Sequence, residues 1–217
     1  MVAVLSGDLN DLQTIHATCI VVAVGEVAGQ AGPMPHVRRI SLDGKSIWSH
    51  AYPTVAKYLL AAAAAPDDGF WLVGRNGTEL RLARLDGVGT VLHIDNLTVP
   101  DGAGSTRALA TPDGGAVVVH AGAAWRMDPN GKLLWQRAFT PDAATWDGGF
   151  AAGGASLRRF DATGKLVADT ATPGPVIHVS ALAGGGFLLS GHAKASAAGF
   201  LARTDAAGHS DCISAGD

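Results

Sequence analysis

Arg126-Met127-Asp128-Pro129-Asn130-Gly131-Lys132-Leu133-Leu134-Trp135 is one copy of an element that recurs five times in 217 residues. In each copy an apolar strand ends at Asp, a tight turn containing Gly follows, and a second apolar strand leaves. The other copies are Ile40–Trp48, Arg84–His93, Arg159–Ala168 and Arg203–Cys212. The aspartates stand at 43, 86, 128, 161 and 205, a spacing that is regular apart from one short step. Asp can bond its own turn backbone and Gly supplies the positive φ a tight turn needs, so each copy reads as a β-hairpin. In the last four copies Arg stands two residues before the Asp, on the same strand face. That spacing predicts a structural Arg–Asp pair inside each hairpin. Carboxylates that recur in every copy are turn residues, not catalytic ones.

A second element precedes each hairpin. It reads Pro66-Asp67-Asp68-Gly69-Phe70-Trp71-Leu72-Val73, then Pro112-Asp113-Gly114-Gly115-Ala116-Val117-Val118-Val119, and it returns at Trp146–Gly154 and Ala183–Gly191. Ile20–Gly25 is a weaker first copy without the turn. These Gly-rich turns lack the helix and the Lys-Ser/Thr that a phosphate-binding loop requires, so they are hairpin turns. Each repeat therefore holds four strands, A to D, in about 40 residues, which is the signature of propeller blades. The expected fold is an all-β, five-bladed β-propeller of four-stranded antiparallel blades, one domain over 1–217. Inner strands crowd a narrow axis and need small side chains. Ala61 to Ala65, Ala108, Ala110, Ala143, Ala144, Ala181 and Ala183 meet that need. Met1–Ser6 is expected as the inner strand of the first blade, or as a strand closing the ring against the last.

Composition agrees and excludes several classes. Apolar residues make 47% of the chain, enough for a sizeable core, while 29 glycines and only 16% charged residues suit short strands and tight turns. A net charge of −3 gives no basic footprint for nucleic acid. No run of 18 apolar residues exists to span a bilayer. The start lacks the basic residues of a secretory signal, since the first Lys or Arg is Arg38. Either the protein is cytoplasmic or a cleaved leader lies outside this sequence. Cys19 and Cys212 stand near opposite ends, at the expected seam of the ring. A disulfide between them would favour an extracytoplasmic, periplasmic location; the alternative is two buried thiols.

Leu42-Asp43-Gly44-Lys45-Ser46-Ile47-Trp48 and the matching stretch Met127–Trp135 resemble the propeller repeats of bacterial quinoprotein-like proteins, among them the outer-membrane assembly lipoprotein. The resemblance is at the level of the repeat and covers nearly the whole chain. It implies a fold and not an activity. Those proteins have about eight blades. The adjacent cysteines and calcium site of quinone-binding dehydrogenases do not appear here.

Catalytic and metal chemistry finds little footing. The eight histidines show no close metal-ligand spacing. His120 replaces a Gly of sister repeats and His93 replaces a Trp. His36 and His192 are expected in long loops and are retained as candidates. No Asp-x-Asp-x-Asp-Gly loop, Gly-x-Ser-x-Gly or His-Glu-x-x-His occurs. Asn76-Gly77-Thr78 and Asn96-Leu97-Thr98 match the glycosylation pattern, but the Ala/Gly-rich composition looks bacterial and both are read as chance. Trp48, Trp135 and Trp71 are expected in the blade-packing core. Trp125 and Trp146 occupy unrepeated positions, which opens a binding surface to either, but the area a Trp buries favours core for each.

Function should lie where repeats differ. The B–C loops are expected to be short at 121–124 and 155–156, and long at 26–36 and 192–199. The D–A connections 49–57 and 94–105 share their face. That face gathers Glu26, Met34, His36, Tyr52, Arg75, Asp95, Asn96, Asp101, His192 and Lys194; the alternative is tolerated loop variation. The leading expectation is a non-catalytic binding module that recognises a protein partner through this face, in a scaffold or toxin-neutralising role. The alternatives are a lectin-like carbohydrate binder, and a hydrolase or lyase with its site at the ring axis. No cofactor and no metal are expected.

Overall fold

The computed structural model describes residues 8–15, 20–29, 32–41, 43–99, 104–182, 185–194 and 198–215, with side chains from Met34 to His209. Every regular element among them is a strand, and all pairings are antiparallel. The chain divides into two compact units, 1–136 and 137–217.

The first unit holds three four-stranded sheets. One is β1 (Asp8–Ile15), β2 (Ile20–Gly29), β3 (Gly32–Ser41) and β4 (Ser46–Ala51). The next is β5 (Tyr58–Ala64), β6 (Phe70–Asn76), β7 (Glu79–Leu85) and β8 (Val91–Leu97). The third is β9 (Thr106–Ala110), β10 (Ala116–His120), β11 (Ala123–Met127) and β12 (Leu133–Arg137). Each follows the order A-B-C-D read from the sequence. Inner strand β5 packs against β1 and β2, and β9 packs against β5 and β6. The alanines of β5 and β9 thus occupy inner strands, as their size predicts.

Burial explains the sequence of β6. Phe70 and Leu72 face the first sheet, in a cluster with Val37, Tyr52, Val55 and Leu59. Trp71 and Val73 face the third sheet, with Ala116, Val118, Trp125 and Met127. A strand buried on both faces needs a continuous apolar run and not alternation.

The second unit is one seven-stranded sheet: β13 (Ala143–Ala144), β14 (Phe150–Ala152), β15 (Gly154–Phe160), β16 (Leu166–Ala181), β17 (Phe187–His192), β18 (Gly199–Thr204) and β19 (Ser210–Ala215). The 16-residue β16 joins two repeats without a loop. Its first part pairs with β15 as a D strand, and its last part pairs with β17 as an A strand. Val176 meets both Gly154 and Gly191 at the handover.

The turn network corrects three sequence readings. In the C–D turns, Asp86, Asp128, Asp161 and Asp205 bond the amide four residues on, and the glycines at 89, 131, 164 and 208 have positive φ. In the first repeat the matching backbone pattern runs from Ser41 to Lys45 and Gly44, so Ser41, not Asp43, holds the Asp position. Asp43 instead accepts from the Ser41 hydroxyl. That shift puts Arg39 two residues before Ser41, so all five repeats carry the strand-C arginine. The arginines do not pair inside their own hairpins. Arg84 pairs with Asp67, Arg126 with Asp113 and Arg159 with Asp147, each in the A–B turn of the same repeat. Finally, the inner strand of the first sheet is β1, not Met1–Ser6, which lies outside the described residues. Asp8-Leu9-Asn10-Asp11 looks like loop chemistry, but the partner β2 imposes strand geometry with an irregularity between Leu9 and Asp11.

Candidate functional site

Alternating strand direction sends the A–B and C–D turns to one end of each sheet and the B–C and D–A connections to the other. The candidate face belongs to the second end, and the structure distributes its ten residues unevenly.

Glu26, Met34 and His36 are not in a long loop. β2 and β3 continue to Gly29 and Gly32, with Glu26 opposite Pro35, Val27 opposite Met34 and Gly25 opposite His36. The side chain of Glu26 lies outside the described residues. His36 is half-buried, its Nε2 is 3.2 Å from the Ser49 hydroxyl, and Arg38 donates to the same hydroxyl at 3.4 Å. Burial, then the positive Arg38 and then His50, hold the His36 pKa below its usual value, so this ring is neutral at pH 7. Tyr52 is 6% exposed and its hydroxyl donates to Gly89 O at 2.7 Å, so it belongs to the core. Asp95 and Asn96 lie in β8 and not in a connection. Asn96 is exposed, while Asp95 Oδ2 stands 2.5 Å from His93 Nε2. Asp101 lies outside the described residues.

Arg75 is the last residue but one of β6, beside a tight B–C turn, and its carbonyl accepts from Lys57 N at 3.0 Å. Nearby, Arg81 Nη1 donates to Thr54 O at 3.2 Å. Lys57 stands 5.2 Å over the Tyr58 ring. His192 and Lys194 belong to the second unit. Both are exposed, and Lys194 N is tied to Pro173 O at 3.1 Å, which fixes this B–C loop to its own sheet. The expected loop at 155–156 lies within β15. Among the described residues no group of three His, Cys, Asp or Glu side chains could hold a metal. Cys212 stands opposite Arg203 as Trp48 stands opposite Arg39, but Cys19 lies outside the described residues.

Trp71 and Trp125 are fully buried, as expected; the other three sort differently. Trp48 and Trp135 are half-buried on D strands. Trp146, in an A–B turn, is 66% exposed.

At the opposite end of the first unit, the turns of the second and third sheets enclose a groove of about 480 Å³. Pro66, Asp67, Pro112, Asp113, Pro129 and Asn130 supply its turns, and Leu92, His93 and Arg84 its strand side. Sequence reading placed function at the loop end and passed over this one, although the substitution of His93 for a repeated Trp was visible.

No family model matches the chain, and no curated protein matches it. Solved structures do. A protein of unknown function from Bacteroides caccae aligns over 97% of this chain and 82% of its own, at 15% identity and a TM-score of 0.64. BamB from Moraxella catarrhalis aligns over 94% of this chain at 13% identity and a TM-score of 0.59, and this chain spans only 63% of it. The Pan2 WD40 domain from Neurospora crassa aligns over 91% of this chain and 76% of its own, at 10% identity and a TM-score of 0.56. At such identities the likeness is one of fold, and the fold it shows for this chain is that of the β-propeller repeat proteins.

Proposed function

We propose that the chain is one five-bladed propeller domain over 1–217 acting as a non-catalytic binding module, which recognises a protein partner through its B–C and D–A end. The observation that carries this reading is how polar side chains are spent at the two ends. At the turn end they repeat and are consumed by the scaffold, as in the pairs of Arg84 with Asp67 and Arg126 with Asp113. At the loop end Lys57, Asn96, His192 and Lys194 are exposed and differ from repeat to repeat. A rigid repeat scaffold with unrepeated polar loops is the usual build of a recognition surface. A scaffold or toxin-neutralising role fits this build.

The test is affinity capture with the intact chain and with a double variant, His192→Ala with Lys194→Glu. A Lys165→Glu variant at the turn end serves as control. Loss of a specific partner in the double variant alone supports the reading. Equal capture by all three overturns the assignment of the face. Binding to a glycan array with no protein retained would favour the lectin-like alternative, with the exposed Trp146 as its first suspect.

A further inference from the structure

The groove at the turn end of the first unit lies where two positions of the repeat carry smaller side chains. At the joint between the first and second sheets, the D strand β4 covers the next C–D turn with aromatic rings. Trp48 stacks on Phe70 with centroids 5.6 Å apart and donates its indole N–H to Gly87 O at 3.1 Å. A Cβ on Gly89 would meet the Tyr52 hydroxyl at 2.7 Å and Trp48 at 3.2 Å, so the joint is filled.

The joint between the second and third sheets uses the same positions with smaller groups. His93 faces Arg84 in register as Trp48 faces Arg39. Ala116 stands where Phe70 stood, each being the first residue of its B strand. His93 turns its Nε2 onto Asp95, and the pair rests against Gly131, where any Cβ would fall on both side chains. The groove of about 480 Å³ opens at this joint, where smaller side chains take the positions of the indole and phenyl rings.

The groove is lined by acceptors. His93 forms part of the wall, with its Nε2 buried beside Asp95 Oδ2. Asp67 uses one carboxylate oxygen on Arg84 and on Gly69 N, which leaves Oδ2 available. The Asn130 side chain is exposed at the mouth. The donors of Arg84 are already committed to Phe70 O, Leu85 O and Asp67. Pro66, Pro112, Pro129 and Leu92 supply apolar walls beside these acceptors.

We propose that this groove is a second recognition site, which takes an arginine side chain presented by an extended segment of a partner protein. Methylenes lie along the proline walls and the guanidinium donates to Asp67 Oδ2, beside the His93 ring. The site is separate from the loop-end surface and does not depend on it.

The probe is the peptide acetyl-Gly-Arg-Gly-Arg-Gly-amide, titrated into the full chain by calorimetry and followed by the His93 ring resonances. Its citrulline counterpart has the same shape without the charge, and free arginine tests whether a peptide backbone is needed. The arginine peptide should bind in a salt-sensitive way and move the His93 signals, with citrulline about tenfold weaker or worse. His93→Trp restores the indole of the first joint, so it should fold with an unchanged or higher melting temperature and lose about tenfold or more in affinity. Asn130→Lys, a change at an exposed side chain, should weaken binding by repulsion and guards against a folding defect in the first variant. Equal binding of the two peptides, binding unaffected by either substitution, or no binding to the unmodified chain would each overturn the proposal. Free arginine binding as well as the peptide would overturn the partner-segment assignment. Neither substitution should alter capture of a loop-end partner, so the two readings fail independently.

Discussion

Arg126 holds both carboxylate oxygens of Asp113, with its Nη2 at 2.7 and 2.6 Å, and so ties strand C of the third sheet to the A–B turn of the same sheet. The guanidinium is 5% exposed and also donates to Met127 O, while Asp113 is 54% exposed. The buried partner suffers most when the pair is broken.

Asp113→Asn should therefore cost about 1–2 kcal/mol, less than a fully buried pair because Asp113 faces solvent. The same contact has a pH signature. Burial pushes the Asp113 pKa up, but Thr111, the Gly115 amide and Arg126 together outweigh it and hold it below the usual carboxylate range. Asp147 is lowered chiefly by the Thr145 hydroxyl. A lowered folded pKa gives stability that is present above the unfolded value, about 3.9, and lost as pH falls through the folded value. Urea denaturation of the intact protein should show this loss below about pH 4, and Asp113→Asn should flatten the slope.

The A–B turns set a second expectation. A Cβ at Gly115 would fall on Met127 O and on the Arg126 guanidinium, and Gly69 meets Leu85 O and Arg84 in the same way. Gly115→Ala should cost about 2–3 kcal/mol through this overpacking. One residue earlier, Asp68 has φ 65° where sister repeats use Gly114, Gly148 and Gly185. Asp68→Gly relieves the left-handed strain but gives up the 4.0 Å pair with the buried Arg39, so it should change stability by less than about 0.5 kcal/mol. Thermal melts should show a clear loss for Gly115→Ala and almost none for Asp68→Gly.

Tryptophan truncation separates core from rim. Trp71 is fully buried and donates to Gly114 O at 3.0 Å, so Trp71→Ala should cost about 3–5 kcal/mol. Trp135 is half-buried between Leu134, 51% exposed, and an exposed Gln136, so Trp135→Ala should cost about 1–2 kcal/mol. Equal losses in chemical denaturation would contradict the half-burial of Trp135.

Tyr52→Phe removes the donor to Gly89 O and leaves that carbonyl without it, at a cost of about 1–2 kcal/mol. Burial, and then the charge of Asp86, push the Tyr52 hydroxyl well above its usual pKa. A raised folded pKa gives stability that is full below the unfolded value, near 10, and lost as pH rises through the folded value. Ultraviolet titration should show Tyr52 ionising only with alkaline unfolding, and the phenylalanine variant should lose that step.

The fold was legible because turn chemistry is local. Asp–Gly turns and alanine-rich inner strands carry their signal in adjacent residues, and the structure returns both. What failed depended on partners far along the chain. Asp43 matched the Asp pattern by spelling, yet the backbone bonds select Ser41. Arg126 lies two residues from Asp128 and forms its pair with Asp113. His36 reads as loop beside Pro33 and Pro35, but pairing with β2 and β4 makes it strand. The groove left a trace, a His where repeats place Trp, but only the packing at this joint shows that a groove opens there.

The unbroken β16 has a consequence for cooperativity. Where repeats are joined outside the strands, as between Ala51 and Tyr58, the backbone offers a place for new termini or a protease cut. Between the fourth and fifth repeats there is none, because every residue from 166 to 181 belongs to one strand. Neither repeat can open without pulling the ladder of the other, so residues 137–217 should exchange their amide hydrogens as a single unit, and a circular permutant cut at Gly174 should be the one that fails to fold.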